Sequence, residues 1–506
     1  MHTDYSYFHI NSKREDDCLP ENTWEDLNLE DFFHSANYTS SRVGEQYLYH
    51  LLRTDKQSEA SKYEHIIHTL ANDAHKRTQL MTCLQKLHHS DAYSIASLFL
   101  KPIPATPNWE VKLLSVCRFV PFLLAGLLIV LHSTFVLFPL IISIIGNVFL
   151  HYRNKTKIQE YFFSIPQLIK LIQTTEALIK EDIYTSTQEG IGETTEELTL
   201  LRKSLSAFKL SIRLESDITF LAYTIAELLN FVFLTEAYKI NKAFRVLADK
   251  QTQISKAFSF VGFLDVLCSI SLWRESLPYY CVPENSNQPD NAISTKGIYH
   301  PLIANAVAND FTTNISIIIT GSNMSGKTSF IRTVGINLVS AKVLNTCAAK
   351  SFSISLNTRL ASAIHVSDNL TEGKSYFLQE VEYLSELIAI TDNEKSYLLL
   401  IDEPFKGTNT IERIAIGKAV LSTLAQKGNL VLASTHDHEL VDLMKHEYHS
   451  YYFCESVENK LLSFDYKLKK GKATERNAIK ILDIFNYPKE VTAEAYRISE
   501  QLTARP

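Results

Sequence analysis

The stretch IIITGSNMSGKTSFIR, Ile317 to Arg332, decides the fold of this chain. A β-branched run leads into a loop bounded by two glycines, and the loop leads into the opening of a helix. Within it, GSNMSGKT fits G-x-x-x-x-G-K-[ST] from Gly321 to Thr328. Glycines let the backbone curl so that its N–H groups converge on phosphate oxygens. The following helix offers its positive N-terminus to the same anion. Lys327 is placed to reach the β- and γ-phosphates, and the Thr328 hydroxyl to ligate Mg2+. A flexible surface loop would require neither the strand before nor the helix after. The pattern therefore predicts a site for ATP and Mg2+ on an α/β P-loop domain.

Such a site needs an apolar strand ending in acid, and SYLLLIDEP, from Ser396, supplies one. Asp402 is expected to hold Mg2+ through water and Glu403 to polarise the attacking water. A buried strand ending at a solvated acidic turn would look similar without a phosphate loop at this distance. LVLASTHDHEL, from Leu430, is a third strand, ending at His436. That histidine is placed to sense the γ-phosphate or hold the water. A surface His-x-His pair is the plainer reading, and a metal pair with His438 lacks a third ligand.

Residues 283–506 alternate short β-branched runs with helical stretches, which predicts a mostly parallel sheet. A turn-rich linker, PENSNQPDNAISTKG from Pro283, opens that domain. Residues 1–110 and 156–282 carry helical patterning. The chain has 506 residues and a net charge of −6, so no bulk basic field draws it to nucleic acid, and DNA contact would have to be local. Seven cysteines lie scattered without a C-x-x-C pair, as core residues of a reducing compartment do. The start, MHTDYSYFHINSKREDD, is polar and acidic, unlike a signal peptide.

Between the helical segments, residues 111–155 are different. From Phe119 through Leu150 there is no Asp, Glu, Lys or Arg, while Lys112, Arg118, Arg153, Lys155 and Lys157 flank the run. At about 32 residues it would be roughly 48 Å long as one helix, against a hydrocarbon core of about 30 Å. Two short passes fit if the chain turns near His132 to Thr134. Basic residues at both ends put both on the cytoplasmic side. The expectation is a membrane-associated chain with its ATP site on the cytoplasmic side. The alternative is a buried helical hairpin, but a globular helix normally keeps one polar stripe.

These motifs together resemble the MutS family of DNA mismatch repair ATPases. TGSNMSGKTSFIR carries that family's unusual Asn323-Met324 inside the phosphate loop. YHPLIANAVANDF, from Tyr299, is similar to its His-Pro segment, and SDNLTEGKSYFLQEVEYL, from Ser367, to its Asp…Gly…Ser-x-Phe…Glu segment. LLLIDEPFKGTNT, STHDHEL and LSFDYKLKKGKATERNAIKIL follow in the family's order. The resemblance implies an ABC-type nucleotide domain behind an all-α core and lever, with the apolar hairpin inserted. It also implies nucleotide contacts from Gly321, Ser322, Asn323, Met324, Ser325, Gly326 and Ser329. A homodimer with composite sites follows, in which Ser375 completes the partner's site. Ser375 equally suits a helix N-cap ahead of YFLQEVEYL. Glu380 lies in a segment that could couple the site to the core.

Upstream the resemblance is weaker. DFFHSANYTSSRVGEQYLYHLL, Asp31 to Leu52, looks like the opening of the family core, with Thr39 and Gly44 at matching places. FSFVGFLDVLCSISLWRESLPYYCVPE, from Phe258, looks like its end, where Asp265 matches. Mismatch-repair members carry a reading domain with Phe-x-Glu, whereas here core-like sequence starts near Trp24. Phe453-Cys454-Glu455 is the only Phe-x-Glu and reads as coincidence, so mismatch specificity is not expected. Ser322 and Ser325 stand where the family has proline and glycine, and PFKGTNT replaces its Gly-Arg-Gly-Thr run. Two functions compete: helices that pass the nucleotide state to a DNA clamp, and a membrane-bound switch that does not bind DNA. The basic spacing in RKSLSAFKLSIR and YKINKAFRVLADK fits DNA phosphates or an ordinary solvated face. A scaffold that binds ATP without turnover is disfavoured by the acidic pair.

Overall fold

Six strands build the sheet behind the phosphate loop: β1 (Ile317–Thr320), β2 (Arg359–Ala363), β3 (Tyr397–Asp402), β4 (Leu430–Ser434), β5 (His449–Tyr452) and β6 (Lys469–Lys470). Their spatial order is β6-β5-β1-β4-β3-β2. Neighbours are parallel except for β6, which runs antiparallel to β5 at one edge. The computed structural model describes residues 6–11, 18–103, 107–158, 163–217, 234, 244–285, 292–364, 376–391, 395–458, 461–472, 482 and 487–503.

Parallel strands are covered on both faces, so their sequences read as unbroken apolar runs. In β3, Leu398, Leu399, Leu400 and Ile401 are all fully buried. Leu399 and Ile401 join a core with Leu384, Leu421 and Met444 from the helices Tyr376–Ile390, Thr410–Gln426 and His438–Met444. Leu400 lies against the helix Lys327–Leu344 that follows the phosphate loop. Gly335 permits that approach, because a Cβ there would sit 2.6 Å from Leu400 and 3.0 Å from Leu27.

Leu27 comes from far upstream. Asp17–Asn37 and Leu51–Lys62 belong to the same unit as Leu272–Pro506. The reason is visible at β2, the other sheet edge. Edge strands leave every second N–H without a partner, and buried donors must find one. Here the Leu360 N–H donates to Asp55 (3.1 Å), the Ser362 N–H to Thr23 (3.1 Å) and the Ile364 N–H to Asp26 (2.9 Å). The Ser362 hydroxyl adds a 2.6 Å bond to Asp26, and Lys342 pairs with Asp55. Helical patterning shows these N-terminal segments as helices, but does not show that their acids serve a strand more than three hundred residues away.

The second unit comprises Met1–Asp16, Tyr38–His50 and Tyr63–Ser271, and its described elements are helical. Glu176 accepts from Thr199 (2.7 Å) and Arg202 (3.0 Å), tying helix Ser164–Leu178 to Ile191–Asp217. On helix Gln251–Ser276, the fully buried Asp265 accepts from Ser40 N, Ser41 N and Ser41 Oγ at 2.9, 2.8 and 2.6 Å. It thereby satisfies free donors at the start of helix Arg42–Arg53. Gly44 sits one turn in, where a Cβ would fall 2.2 Å from an Asp265 oxygen. Gly44 and Asp265, two of the three residues matched to the family core, are thus one contact.

The uncharged run forms helices Val120–Leu131 and Leu137–Ile158, preceded by Asn108–Cys117. The chain reverses at His132, whose left-handed φ of 47° ends the first arm. Trp109–Leu131 and Thr134–Arg153 are each long and apolar enough to cross a membrane, and only 11% and 17% of their apolar windows are buried. Gln251–Ser276 also meets that length and hydropathy, but 83% of its window is buried. A hairpin folded into a helical core would cover its side chains, whereas Ile129, Val130, Phe135 and Phe138 are exposed. At the base, Arg153 pairs with Glu110, and Asn147 donates to the Cys117 carbonyl at 3.2 Å.

Candidate functional site

Strand β1 delivers the phosphate loop, and positive φ angles shape it. Gly321 (φ 150°) and Gly326 (φ 108°) adopt conformations that side chains disfavour, and Met324 joins them at 70°. A Cβ on Gly321 would lie 2.7 Å from both the Phe453 carbonyl and the Ser325 hydroxyl. Asn323, Met324 and Ser329 are exposed. Ser325 is buried, and its hydroxyl has no hydrogen-bond partner among the described residues. Ser322 donates to Glu455 at 2.6 Å. The Phe453-Cys454-Glu455 triplet that reads as coincidence in the sequence thus backs the loop through two of its residues.

The Lys327 ammonium curls over the loop, donating to the Gly321 and Ser322 carbonyls at 2.8 and 3.0 Å. Its Nζ also lies 3.7 Å from Glu403. Burial lowers its pKa, and the nearby Glu403 and Asp402 push it back up. Thr328 donates to Asp402 Oδ2 at 2.6 Å, while the Ser434 hydroxyl donates to Oδ1. Two adjacent strand ends thus set Asp402 facing the first turn of the loop helix.

Glu403 follows in a left-handed conformation (φ 49°), and its N–H donates to the Ser434 carbonyl at 3.1 Å. Its carboxylate meets His436 Nε2, with Lys406 Nζ at 3.1 Å. Burial works to raise its pKa, but the His436 hydrogen bond and charge, with Lys406 and Lys327, hold it down at about 2. The second His436 nitrogen lies 3.1 Å from the Gly321 carbonyl, so the ring bridges loop and acid.

A cleft of about 620 Å³ opens beside the loop and reaches Lys327, Thr328 and Glu403. Tyr299, His300, Ile303, Val307, Phe453 and Tyr466 line its other walls. Burial, helped by Arg332, lowers the His300 pKa to about 4, so it is neutral near pH 7. The structure therefore brings together Lys327, Thr328, Asp402, Glu403 and His436. Ser375 lies outside the described residues. Sequence reasoning missed Glu455 and Lys406; the only signal for Lys406 was its place in the divergent PFKGTNT run. In that run Asn409 caps helix Thr410–Gln426, accepting from the Glu412 N–H at 3.0 Å.

Residues 317–503 match the family model of MutS domain V. Proteins named DNA mismatch repair protein MutS are similar over part of the chain. That of Thermotoga sp. (strain RQ2) is 31% identical over 238 residues, covering 45% of this chain and 30% of that protein. That of Acetivibrio thermocellus is 28% identical over 299 residues, covering 54% and 33%. The match with the Listeria monocytogenes protein is 31% over 225 residues, covering 42% and 26%. The chain thus spans about a third of the length of the curated relatives it matches.

Proposed function

This chain belongs to the MutS family, and from that premise we propose that it binds and hydrolyses ATP at the loop Gly321–Thr328. The observation that carries the reading is the Thr328–Asp402 contact with Glu403 beside Lys327. Loop N–H groups and Lys327 bind the phosphates, with Asn323 and Met324 at the loop's exposed rim. The cleft beside the loop has room for the nucleoside. Thr328 and Asp402 suit Mg2+, because a hydroxyl and a carboxylate already meet there, and the ion would neutralise phosphate charge when bound. Glu403 takes the proton side of water attack, oriented by His436 and kept ionised by the cations around it. Lys327→Ala should weaken nucleotide binding by removing a direct phosphate contact. Wild-type affinity for ATP in that variant would sink the reading.

Dimerisation, with Ser375 completing the partner's site, and DNA binding are family-level expectations for this chain. The apolar hairpin favours a second reading: a membrane-anchored, nucleotide-driven switch. Its exposed side chains suit lipid rather than water, and the Glu110–Arg153 pair keeps both arms' ends together. Both ends then lie on the cytoplasmic side with the ATPase domain. ATPase assays with and without duplex DNA at several salt concentrations separate the two readings, since phosphate contacts weaken steeply with salt.

A further inference from the structure

We infer that Glu380 is a positioning residue for hydrolysis, holding the turn from Glu403 to Gly407 that aims the Glu403 carboxylate; this rests on the role proposed for Glu403. Glu380 lies on helix Tyr376–Ile390, and its side chain is only 4% exposed. One oxygen, Oε1, accepts from the Phe405 N–H and, at 3.3 Å, from the Lys406 N–H. The Gly407 N–H bonds the same carboxylate. The other oxygen is buried without a hydrogen-bond partner among the described residues.

The turn needs such a partner. Glu403 and Phe405 are both left-handed, at φ 49° and 62°. Each such non-glycine residue is strained and persists only where its surroundings impose it. Consecutive N–H groups in this conformation converge and form a small anion-binding concavity. Here a protein carboxylate fills it. Leu384, Leu387 and Phe405 belong to the apolar cluster around this helix, a setting where an apolar side chain would be the natural occupant. A buried carboxylate is costly there unless it satisfies those donors. Glu380 does not line the cleft. Its effect on chemistry must therefore pass through the turn.

The experiment compares Glu380→Ala, Glu380→Gln and Glu403→Gln in the full chain, measuring kcat and KM for ATP alongside thermal melting. Misplacing a catalytic group by about 1 Å can cost up to about 10²-fold. Glu380→Ala should therefore lower kcat by roughly tenfold or more, with KM within about threefold of the parent. Glu380→Gln, whose amide oxygen still accepts from the turn, should stay within about threefold of the parent kcat. If Glu380→Ala does not fold, Glu380→Asp replaces it: it keeps the charge, shortens the reach and should show the same loss. Parent kcat in the Ala or Asp variant, with Glu403→Gln slow, overturns the inference. So does a folded Gln variant as slow as the Ala variant. Should Glu403→Gln itself run at the parent rate, the premise about Glu403 has failed instead.

Discussion

Glu403→Gln keeps the side chain's shape and removes one charge from a crowded site. The carboxylate lies 3.1 Å from Lys406 Nζ and 3.7 Å from Lys327 Nζ, and also contacts His436. With its pKa held at about 2, it is ionised throughout the ordinary assay range, so the substitution removes a full negative charge. Two effects follow, with opposite signs. Losing the proton acceptor should lower kcat by roughly 10²- to 10⁴-fold. Losing the charge should tighten ATP binding. Lys327 marks where phosphate oxygens gather, so phosphate would lie about 5 Å from the carboxylate. At an effective dielectric constant of about 40–80 that repulsion is roughly 0.8–1.7 kcal/mol, or about four- to sixteenfold in Kd. Phosphate release gives kcat, and titration with a fluorescent ATP analogue gives Kd. Hydrolysis within threefold of the parent would refute the role of Glu403. Weaker nucleotide binding would refute the charge accounting. For the parent protein, the low pKa predicts no loss of kcat from Glu403 protonation until the pH approaches about 3.

The hairpin predicts that the intact protein stays in carbonate-washed membranes. Ile142→Asp with Ile145→Asp, near the middle of the span Thr134–Arg153, should release it, each carboxylate costing about 2.5–3.5 kcal/mol mid-bilayer; parent protein found only in the high-speed supernatant would count against the anchor. Gly44→Ala forces Asp265 off its bonds to Ser40 and Ser41. Hydrogen bonds to charged groups are worth about 1.5–3 kcal/mol each, so a loss of roughly 3 kcal/mol or more is expected, and an unchanged melting curve would contradict it. Burial raises the Asp265 pKa to about 6, against the hydrogen bonds from Ser41 and Ser40. Its folded pKa lies above the unfolded value, so its contribution is fully present below about pH 4 and lost as pH rises through 6. Denaturant titrations at pH 5 and pH 7 should show that fall in the parent and a smaller one in Asp265→Asn; equal falls would show that Asp265 does not titrate there.

The layout of the site was legible because it is local. A strand, a glycine-bounded loop and a helix are contiguous from Ile317 to Arg332, and Asp402-Glu403 ends an apolar run, so short patterns suffice to place each side chain. The hairpin's apolarity and length were likewise written in one stretch. Its exposure was a tertiary outcome, since the same residues could have been core. The supporting contacts were decided only by folding. Ser322 meets Glu455 across 133 positions, and Asp26 and Asp55 reach β2 across more than 300. Side-chain periodicity says which face of a strand is buried, and an edge strand's N–H groups demand acceptors, but neither says which distant residue answers. Asp265 and Gly44 are the clearest case: a carboxylate on one helix and a missing Cβ on another have no shared pattern in the chain, and their fit exists only once the helices touch.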